Sequence, residues 1–248
     1  MEAAGVIDQI GEGVDPGLGI GDRIMAIAVV SGTHGAYAEY LVVPAESVAR
    51  APANATDVEA ATLPMNGLTA RMALDLLHLP PGGVLAVIGG AGAVGGYAIQ
   101  LAKADGFHVI ADAAPADVER VTALGADAVF PRGQPFVEQA REHVPGGVDG
   151  LVDTAGVTAS VAGAVRDGGR IVTSAPGAPL VTERGIATER VFVPDYARNH
   201  AALETLGKLA GRGQVKLRVA RTFPAEQAAE AHRLLAKGGL RGRVVLTF

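Results

Sequence analysis

The chain of 248 residues contains no cysteine. Disulfide bonds, thiolate nucleophiles and zinc sites built from cysteine are therefore excluded within this sequence. Tryptophan is also absent, and only 4% of the residues are aromatic, which leaves little material for stacking on nucleic-acid bases. The net charge is −5 and the sequence has no run of basic residues, so nothing in it indicates a nucleic-acid partner.

One long stretch of the chain is uncharged, because no charged residue occurs between Pro80 and Ala102. This stretch is long enough to suggest a membrane span, but five of its glycines, at positions 89, 90, 92, 95 and 96, argue against a spanning helix. The first residues lack both the basic segment and the long apolar segment of a signal peptide. We therefore expect a cytoplasmic protein that has no membrane segment and acts on a small-molecule substrate.

The most informative stretch that is present runs from Val84 to Asp112. An apolar run at 84–88 predicts a buried strand, a helical segment follows at about 94–104, and a second apolar strand at 107–111 ends at Asp112. Between the first strand and the helix the sequence matches the pattern G-x-G-x-x-G. The residues of this glycine turn are Gly90, Ala91, Gly92, Ala93, Val94 and Gly95. The arrangement predicts a strand-turn-helix-strand unit that binds a dinucleotide.

Each part of this unit has a physical role in such a site. Gly90 permits the tight turn, Gly92 lets a pyrophosphate approach the backbone, and Gly95 allows close packing of the helix. The helix start offers unpaired N–H groups to the phosphates. An acid at Asp112 can accept the ribose hydroxyls of NAD, which would favour NAD(H), whereas Arg132, after the third strand, could approach the adenine ribose.

Beyond this unit, the chain changes its pattern twice. Residues 1–50 indicate strands, among them 24–30 and 37–44, and a capping box at Thr56 to Glu59 begins a helical region. Strands and helices then alternate, giving six strands between Val84 and Val193 and predicting a doubly wound parallel sheet of α/β class. The last predicted strand is 191–193, and a helix at 195–209 begins a mixed tail. We predict domains at 1–75, 76–194 and 195–248, the last returning to complete the first.

Several motifs, taken in order, resemble those of one known family. They are Gly21-Asp22-Arg23-Ile24, Gly35-x-Tyr37-Ala38-Glu39-Tyr40, Gly67-Leu68-Thr69-Ala70, the glycine turn, Leu124-Gly125-Ala126-Asp127, Val152-Asp153-Thr154, Gly168-Gly169-Arg170 and Gly242-Arg243-Val244-Val245-Leu246. With these motifs, which cover nearly the whole chain, the sequence resembles the zinc-independent quinone oxidoreductase branch of the medium-chain dehydrogenase/reductase superfamily. The resemblance implies a Rossmann domain joined to a GroES-like catalytic domain.

The resemblance also implies a reaction, hydride transfer from a reduced nicotinamide to a quinone, an enone or a similar acceptor. It places Asn66 and Thr69 beside the nicotinamide and favours NADP(H), whereas Asp112 leaves NAD(H) open. The rule that ligands bind outside the carboxyl ends of the strands places two further groups along the cofactor. These groups are Thr154, Ala155 and Gly156 after one strand and Ser174 and Ala175 after the next. A catalytic acid is not identified, although His34, in a loop, is one candidate.

Zinc is not expected, because Met1 stands where zinc-dependent relatives have a histidine, and residues 25–36 replace their four-cysteine lobe. Relatives also carry further strands of the GroES-like domain before the position of Glu2. We therefore expect a truncated catalytic domain, exposed apolar surface and either poor solubility or oligomerisation. A homodimer formed by pairing of sheet edges is a further expectation from resemblance. Two alternatives stay open: a dinucleotide-binding protein without turnover, and an enoyl-reducing module of a larger synthase.

Overall fold

The computed structural model describes residues 1–15, 17–30, 35–133 and 135–248. The chain divides into two compact units, one made of Met1–Leu68 and Val193–Phe248 and the other of Thr69–Phe192. The strands are β1 (Glu2–Val6), β2 (Arg23–Ile27), β3 (Val48–Arg50), β4 (Val84–Ile88), β5 (His108–Ala113), β6 (Ala128–Pro131), β7 (Val148–Asp153), β8 (Val165–Thr173), β9 (Ala187–Arg190), β10 (Val219–Pro224) and β11 (Arg243–Thr247). The α-helices are α1 (Asp57–Ala60), α2 (Pro64–Leu77), α3 (Ala93–Ala104), α4 (Val118–Ala123), α5 (Pro135–His143), α6 (Thr158–Val161), α7 (His200–Gly211) and α8 (Ala228–Lys237).

The second unit is built on a parallel sheet of six strands, in the order β6-β5-β4-β7-β8-β9. Numbered along the chain within this sheet, the order is 3-2-1-4-5-6, which is that of a doubly wound dinucleotide-binding fold. The predicted α/β class and parallel sheet are confirmed. The strand order reverses between β4 and β7, so the turn after β4 lies at the switch point of the sheet, where ligands of such folds bind.

The apolar run of β4 explains its central place in this sheet. Leu85, Ala86, Val87 and Ile88 are each at most 2% exposed. Because neighbouring side chains on a strand point to opposite faces of the sheet, successive residues of β4 pack against opposite sides of it. Ala86 and Ile88 join the core cluster around Phe136, which covers one face of the sheet. A continuous apolar strand therefore indicates burial on both faces, as the sequence predicts.

The described residues of the first unit form two small sheets. One is antiparallel, in the order β1-β2-β3, and the other pairs β10 with β11 in parallel. The capping box predicted at the start of α1 is present: the backbone N–H of Glu59 donates to Thr56 Oγ1 at 3.2 Å, and the N–H of Thr56 donates to Glu59 Oε2 at 2.9 Å. These bonds satisfy N–H groups that the helix leaves without acceptors.

The predicted strand at 37–44 is wrong. These residues form bends and irregular backbone, whereas the shorter β3 pairs with β2 in its place. Val42 is 100% exposed, so the alternating apolar pattern of this segment has no face to bury. Among the described residues no strand pairs with it, and a strand without a ladder partner leaves its backbone groups to water.

The last strand of the large sheet lies earlier than predicted. The prediction placed it at 191–193, whereas β9 ends at Arg190 and pairs with the last residues of β8. β9 is an edge strand with partly exposed residues, so it needs no apolar run. The prediction was wrong because it assigned the strand to the apolar residues that follow β9. Similarly, the helix predicted to begin at Asp195 begins at His200, where Asn199 accepts a capping bond from the N–H of Ala202.

Within the described ranges, no helix combines the length and the apolar character needed to cross a membrane.

Candidate functional site

The glycine turn between β4 and α3 folds tightly on itself. Gly89 has a φ of +81°, a conformation that side chains other than glycine rarely adopt, and its carbonyl accepts the N–H of Gly92 at 2.9 Å. A Cβ atom on Gly95 would lie closer than 3.0 Å to this carbonyl oxygen, and a Cβ on Gly90 would lie 3.0 Å from Ile99 Cδ1. Gly90 and Gly95 are therefore needed for packing of the turn and of α3.

The start of α3 faces outward from this turn. The first N–H groups of an α-helix have no intrahelical acceptor. Here the N-cap residue is Gly92, which has no side chain that could accept them. Gly92, Ala93 and Val94 are half-exposed, whereas the following residues up to Ala102 are buried. A Cβ on Gly92 would meet only one atom within 4 Å, the Gly89 oxygen, and open space on its other sides. This arrangement fits a pyrophosphate, which needs exposed N–H groups, the positive helix end and a close backbone approach.

Asp112 lies under the turn rather than in solvent. β5 continues through Ala113, so Asp112 lies within the strand and its side chain is only 3% exposed. Its Oδ1 accepts the backbone N–H of Gly89 at 2.5 Å, and its Oδ2 accepts Arg132 Nε at 3.0 Å. Both carboxylate oxygens thus have partners within the protein. Because a ribose would need to reach the carboxylate, its burial between these partners argues against direct ribose contact.

Arg132 follows β6 at the same edge of the sheet. Its backbone N–H donates to the carbonyl of Ala113 at 3.2 Å, which places it beside the last residue of β5. Its side chain is 52% exposed, in contrast to that of Asp112. In a doubly wound fold, the end of the second strand is where the adenine ribose binds. The Arg132 guanidinium is therefore a solvent-exposed cation at this position.

The residues predicted after β7 and β8 lie at the same carboxyl edge of the sheet. Thr154 Oγ1 donates to the carbonyl of Ile88 at 2.8 Å, and a Cβ on Gly89 would overlap this hydroxyl. Ala155 and Gly156 both donate backbone N–H groups to Asp153 Oδ1 at 2.9 Å. After β8, Ser174 N–H donates to the Asp153 carbonyl, and the side chain of Ala175 lies against Gly156. The structure thus brings the two predicted groups together around the glycine turn.

The two residues predicted beside the nicotinamide belong to different units. Thr69 is the first residue of the second unit and is 8% exposed. Asn66 belongs to the first unit, where its side-chain amide donates to Glu2 Oε1 at 3.3 Å and to the carbonyl of Thr62 at 3.4 Å. The place of both beside a nicotinamide stays a prediction.

Glu2 is a buried carboxylate in the first unit. Its Oε1 lies 2.6 Å from Arg243 Nη2, and its Oε2 accepts the N–H of Met65 at 2.8 Å. Burial raises the pKa of Glu2, although Arg243 and the Met65 N–H counteract part of this effect. Glu2 thus orients the Asn66 amide within this unit.

The described residues contain no group of three or more histidines and acids able to hold a metal ion. His34, the candidate proton donor, lies outside the described residues.

Sequence reasoning missed two residues of this edge. Gly89 precedes the motif, yet its carbonyl accepts the N–H of Gly92 and its own N–H donates to Asp112. The pair Gly89-Gly90 is the sequence signal that could have indicated a residue with positive φ. Asp153 is fully buried and receives the N–H groups of Ala155 and Gly156 together with the hydroxyl of Thr158 at 2.5 Å. In the sequence it occurs only within the motif Val152-Asp153-Thr154, which does not indicate that its carboxylate bonds to the following loop.

This chain is similar in sequence to several known oxidoreductases. The family described as zinc-binding dehydrogenase matches residues 124–246. The trans-enoyl reductase tazE of Aspergillus terreus is 38% identical over 144 residues, which are 52% of this chain and 48% of that protein. A chloroplast envelope quinone oxidoreductase homolog of Arabidopsis thaliana is 30% identical over 260 residues, covering 99% of this chain and 78% of the relative.

Solved structures of other proteins are also similar to the fold of this chain. A mycobacterial protein solved in complex with NADPH is 25% identical to this chain, with a TM-score of 0.85, covering 100% of this chain and 81% of the other. The similarity therefore extends over both units. The lengths differ, however, since the alignment with tazE spans about half of that relative's length.

Proposed function

Because this chain belongs to the medium-chain dehydrogenase/reductase superfamily, we propose that it transfers a hydride from a reduced nicotinamide dinucleotide to an organic acceptor. One observation carries the proposal: the glycine turn presents the exposed start of α3 at the switch point of a six-stranded parallel sheet. The turn and the α3 N–H groups hold the pyrophosphate. The loops after β7 and β8, ordered by Asp153, border the path of the cofactor.

The acceptor is a quinone, an enone or a similar conjugated carbonyl compound. Support comes from the relatives, of which one is described as a quinone oxidoreductase homolog and another as a trans-enoyl reductase. The nicotinamide, when bound, supplies the hydride, and the chain supplies binding and orientation. We propose that no zinc takes part, since the sequence has no cysteine and Met1 occupies the position of the histidine ligand in zinc-dependent relatives.

The preferred cofactor in this proposal is NADP(H). An acid that accepts ribose hydroxyls favours NAD(H), whereas a nearby arginine accommodates the 2′-phosphate of NADP(H). Here the acid, Asp112, is buried and bonded to Gly89 and Arg132. The next residues, Ala113 and Ala114, have no polar side-chain atoms. Arg132, half-exposed and bonded to Asp112 beside the end of β5, is a cation whose charge matches a 2′-phosphate.

Titration of the purified chain with NADPH and with NADH, followed by nicotinamide fluorescence, tests binding. The absence of tryptophan keeps the protein background low. Consumption of NADPH is then followed by loss of nicotinamide absorbance with a panel of quinones and enones. We expect tighter binding of NADPH and turnover with at least one acceptor. Binding without turnover on the whole panel would favour a dinucleotide-binding protein, and binding of neither nucleotide would refute the proposal.

A second candidate is an enoyl reductase that acts within a larger synthase, favoured by the 38% identity to a trans-enoyl reductase. Faster turnover with an enoyl thioester than with any quinone would support it. A homodimer formed through sheet edges and a cytoplasmic location stay predictions from the sequence.

A further inference from the structure

One carboxylate connects the glycine turn to Arg132. Asp112 Oδ1 accepts the N–H of Gly89 in the glycine turn, and Asp112 Oδ2 accepts Nε of Arg132 at the end of β6. The distances are 2.5 Å and 3.0 Å, and the carboxylate is 3% exposed. The three groups are far apart in sequence, so this link exists only in the folded sheet.

We propose that Asp112 is a positioning residue for cofactor selectivity: it holds the Arg132 guanidinium in place to bind the 2′-phosphate of NADP(H). The inference rests on the proposed function, because it concerns the same dinucleotide site. Asp112 does not touch the cofactor in this account. It acts through Arg132, and through Gly89 it keeps the arginine in a constant position relative to the turn that binds the pyrophosphate.

The chemistry of the arginine side chain supports this role. A guanidinium has five N–H donors in a rigid planar arrangement, and Asp112 uses the one on Nε. In the part of the chain that the structure describes, no acceptor is bonded to the four donors on the terminal nitrogens, and an arginine can bind a phosphate through two parallel bonds from such donors. An exposed arginine held by no partner would lose more side-chain entropy on binding. The bond to Asp112 reduces this loss before the cofactor arrives.

The negative charge of Asp112 does not cancel the proposed selectivity. An exposed acid would repel a 2′-phosphate, but the Asp112 side chain is 3% exposed whereas that of Arg132 is 52% exposed. The buried carboxylate is stabilised by the backbone N–H of Gly89 and by Nε of Arg132, while the rest of the guanidinium extends towards solvent. A ligand that approaches from solvent meets the guanidinium.

The chain offers a matched control at the opposite end of the same strand. Asp127 Oδ2 accepts the backbone N–H of Val109, near the start of β5, at 2.7 Å and the ammonium of Lys103 at 2.8 Å. Like Asp112, it joins one backbone N–H to a basic side chain, and in addition His108 Nδ1 lies 3.3 Å from its Oδ2. It lies at the amino end of the sheet, away from the glycine turn. Its loss should affect stability but not the choice of cofactor.

The experiment compares the dissociation constants of NADPH and NADH, measured by nicotinamide fluorescence, in the wild type and in variants. In Asp112→Asn, the amide oxygen can still accept the Gly89 N–H, but the amide NH2 cannot accept Arg132 Nε. We expect the preference for NADPH to fall by about tenfold, the scale of one charge-assisted hydrogen bond. Arg132→Gln should abolish the preference, and Asp127→Asn should leave it unchanged.

The double variant Asp112→Asn/Arg132→Gln separates positioning from a general structural role. If Asp112 acts through Arg132, the double variant should have the same cofactor ratio as Arg132→Gln alone. Multiplying effects would overturn the proposal, as would an Asp112→Asn protein with the wild-type ratio. Should Asp112→Asn fail to fold, Arg132→Lys replaces it, because a lysine has no planar array of donors and cannot hold both Asp112 and a phosphate through two parallel bonds. A wild-type ratio in Arg132→Lys would then overturn the proposal.

The wild-type measurement distinguishes failure of the proposed function from failure of the role proposed for Asp112. Wild-type protein that binds neither nucleotide would refute the proposed function and this inference together. Wild-type protein that binds NADH as tightly as NADPH, or more tightly, would leave the dinucleotide site in place and overturn this inference alone.

Discussion

Replacing Gly95 by alanine should damage both the stability of the fold and the binding of dinucleotide. A Cβ atom at this position would lie closer than 3.0 Å to the backbone oxygen of Gly89, and the neighbouring Gly90 Cα would lie 3.1 Å away. Both neighbours are backbone atoms, so no flexible side chain can move aside. The start of α3 must therefore shift away from the turn.

The size of the effect follows from two opposing contributions. Overpacking of a well-packed site costs about 1–3 kcal/mol. Alanine is favoured over glycine inside a helix by about 1 kcal/mol, which offsets part of this cost. Gly211, at the end of α7, provides the control, because a Cβ there would meet no atom within 4 Å. Gly95→Ala should therefore be less stable than Gly211→Ala by about 1–3 kcal/mol.

Binding should be affected more specifically than stability. A shifted helix start weakens the N–H bonds to the phosphates, each of which contributes about 1.5–3 kcal/mol as a bond to a charged group. The loss of one such bond raises the dissociation constant of NADPH by about tenfold to hundredfold. Chemical denaturation and fluorescence titration measure the two effects. A Gly95→Ala protein that matches Gly211→Ala in stability and the wild type in NADPH affinity would refute this account of the turn.

Three further predictions concern other parts of the chain. Thr56→Ala removes the cap of α1 and should lower the free energy of unfolding by about 1 kcal/mol in chemical denaturation; an unchanged midpoint would contradict the importance of the capping box. Burial would raise the pKa of Asp127, but bonds from Lys103 and Val109 outweigh it and lower the pKa, so the stabilisation is present above the unfolded value of about 3.9 and is lost as pH falls through the folded pKa. Unfolding of Asp127→Asn should accordingly depend less on pH in this acid range, and equal pH dependence in both proteins would show the reasoning to be wrong. Finally, the first unit exposes several large apolar side chains, including Ile20 at 70%, Tyr40 at 77% and Val42 at 100%, so we expect self-association, which a monodisperse monomer in light scattering would exclude.

Local signals made part of the fold readable in the sequence. The strand β4 was predicted with its observed bounds because an apolar run closed by glycines has few other interpretations. The capping box of α1 likewise depends only on residues three apart. The pattern G-x-G-x-x-G, placed between a strand and a helix, identified the turn, since Gly90 and Gly95 are needed for packing and Gly92 leaves room for a phosphate.

Other features depended on contacts between distant residues. The segment 37–44 has the pattern of a strand, but a strand forms only where a partner offers a ladder, and β3 takes that place beside β2. The edge strand β9 lacks an apolar run because its position is set by pairing with β8. Sequence patterns record which side chains are apolar, and they do not record which strand lies alongside.

Asp112 shows, within the candidate site, the difference between what local sequence predicts and what contacts between distant residues decide. The sequence by itself determined that an acid stands at the end of the second strand, about 20 residues after the glycine motif. Only the tertiary structure decided that this acid bonds to Gly89 and Arg132 rather than facing solvent. The reason is physical: a buried carboxylate is stable only when donors surround it, and those donors come from the neighbouring strands of the folded sheet.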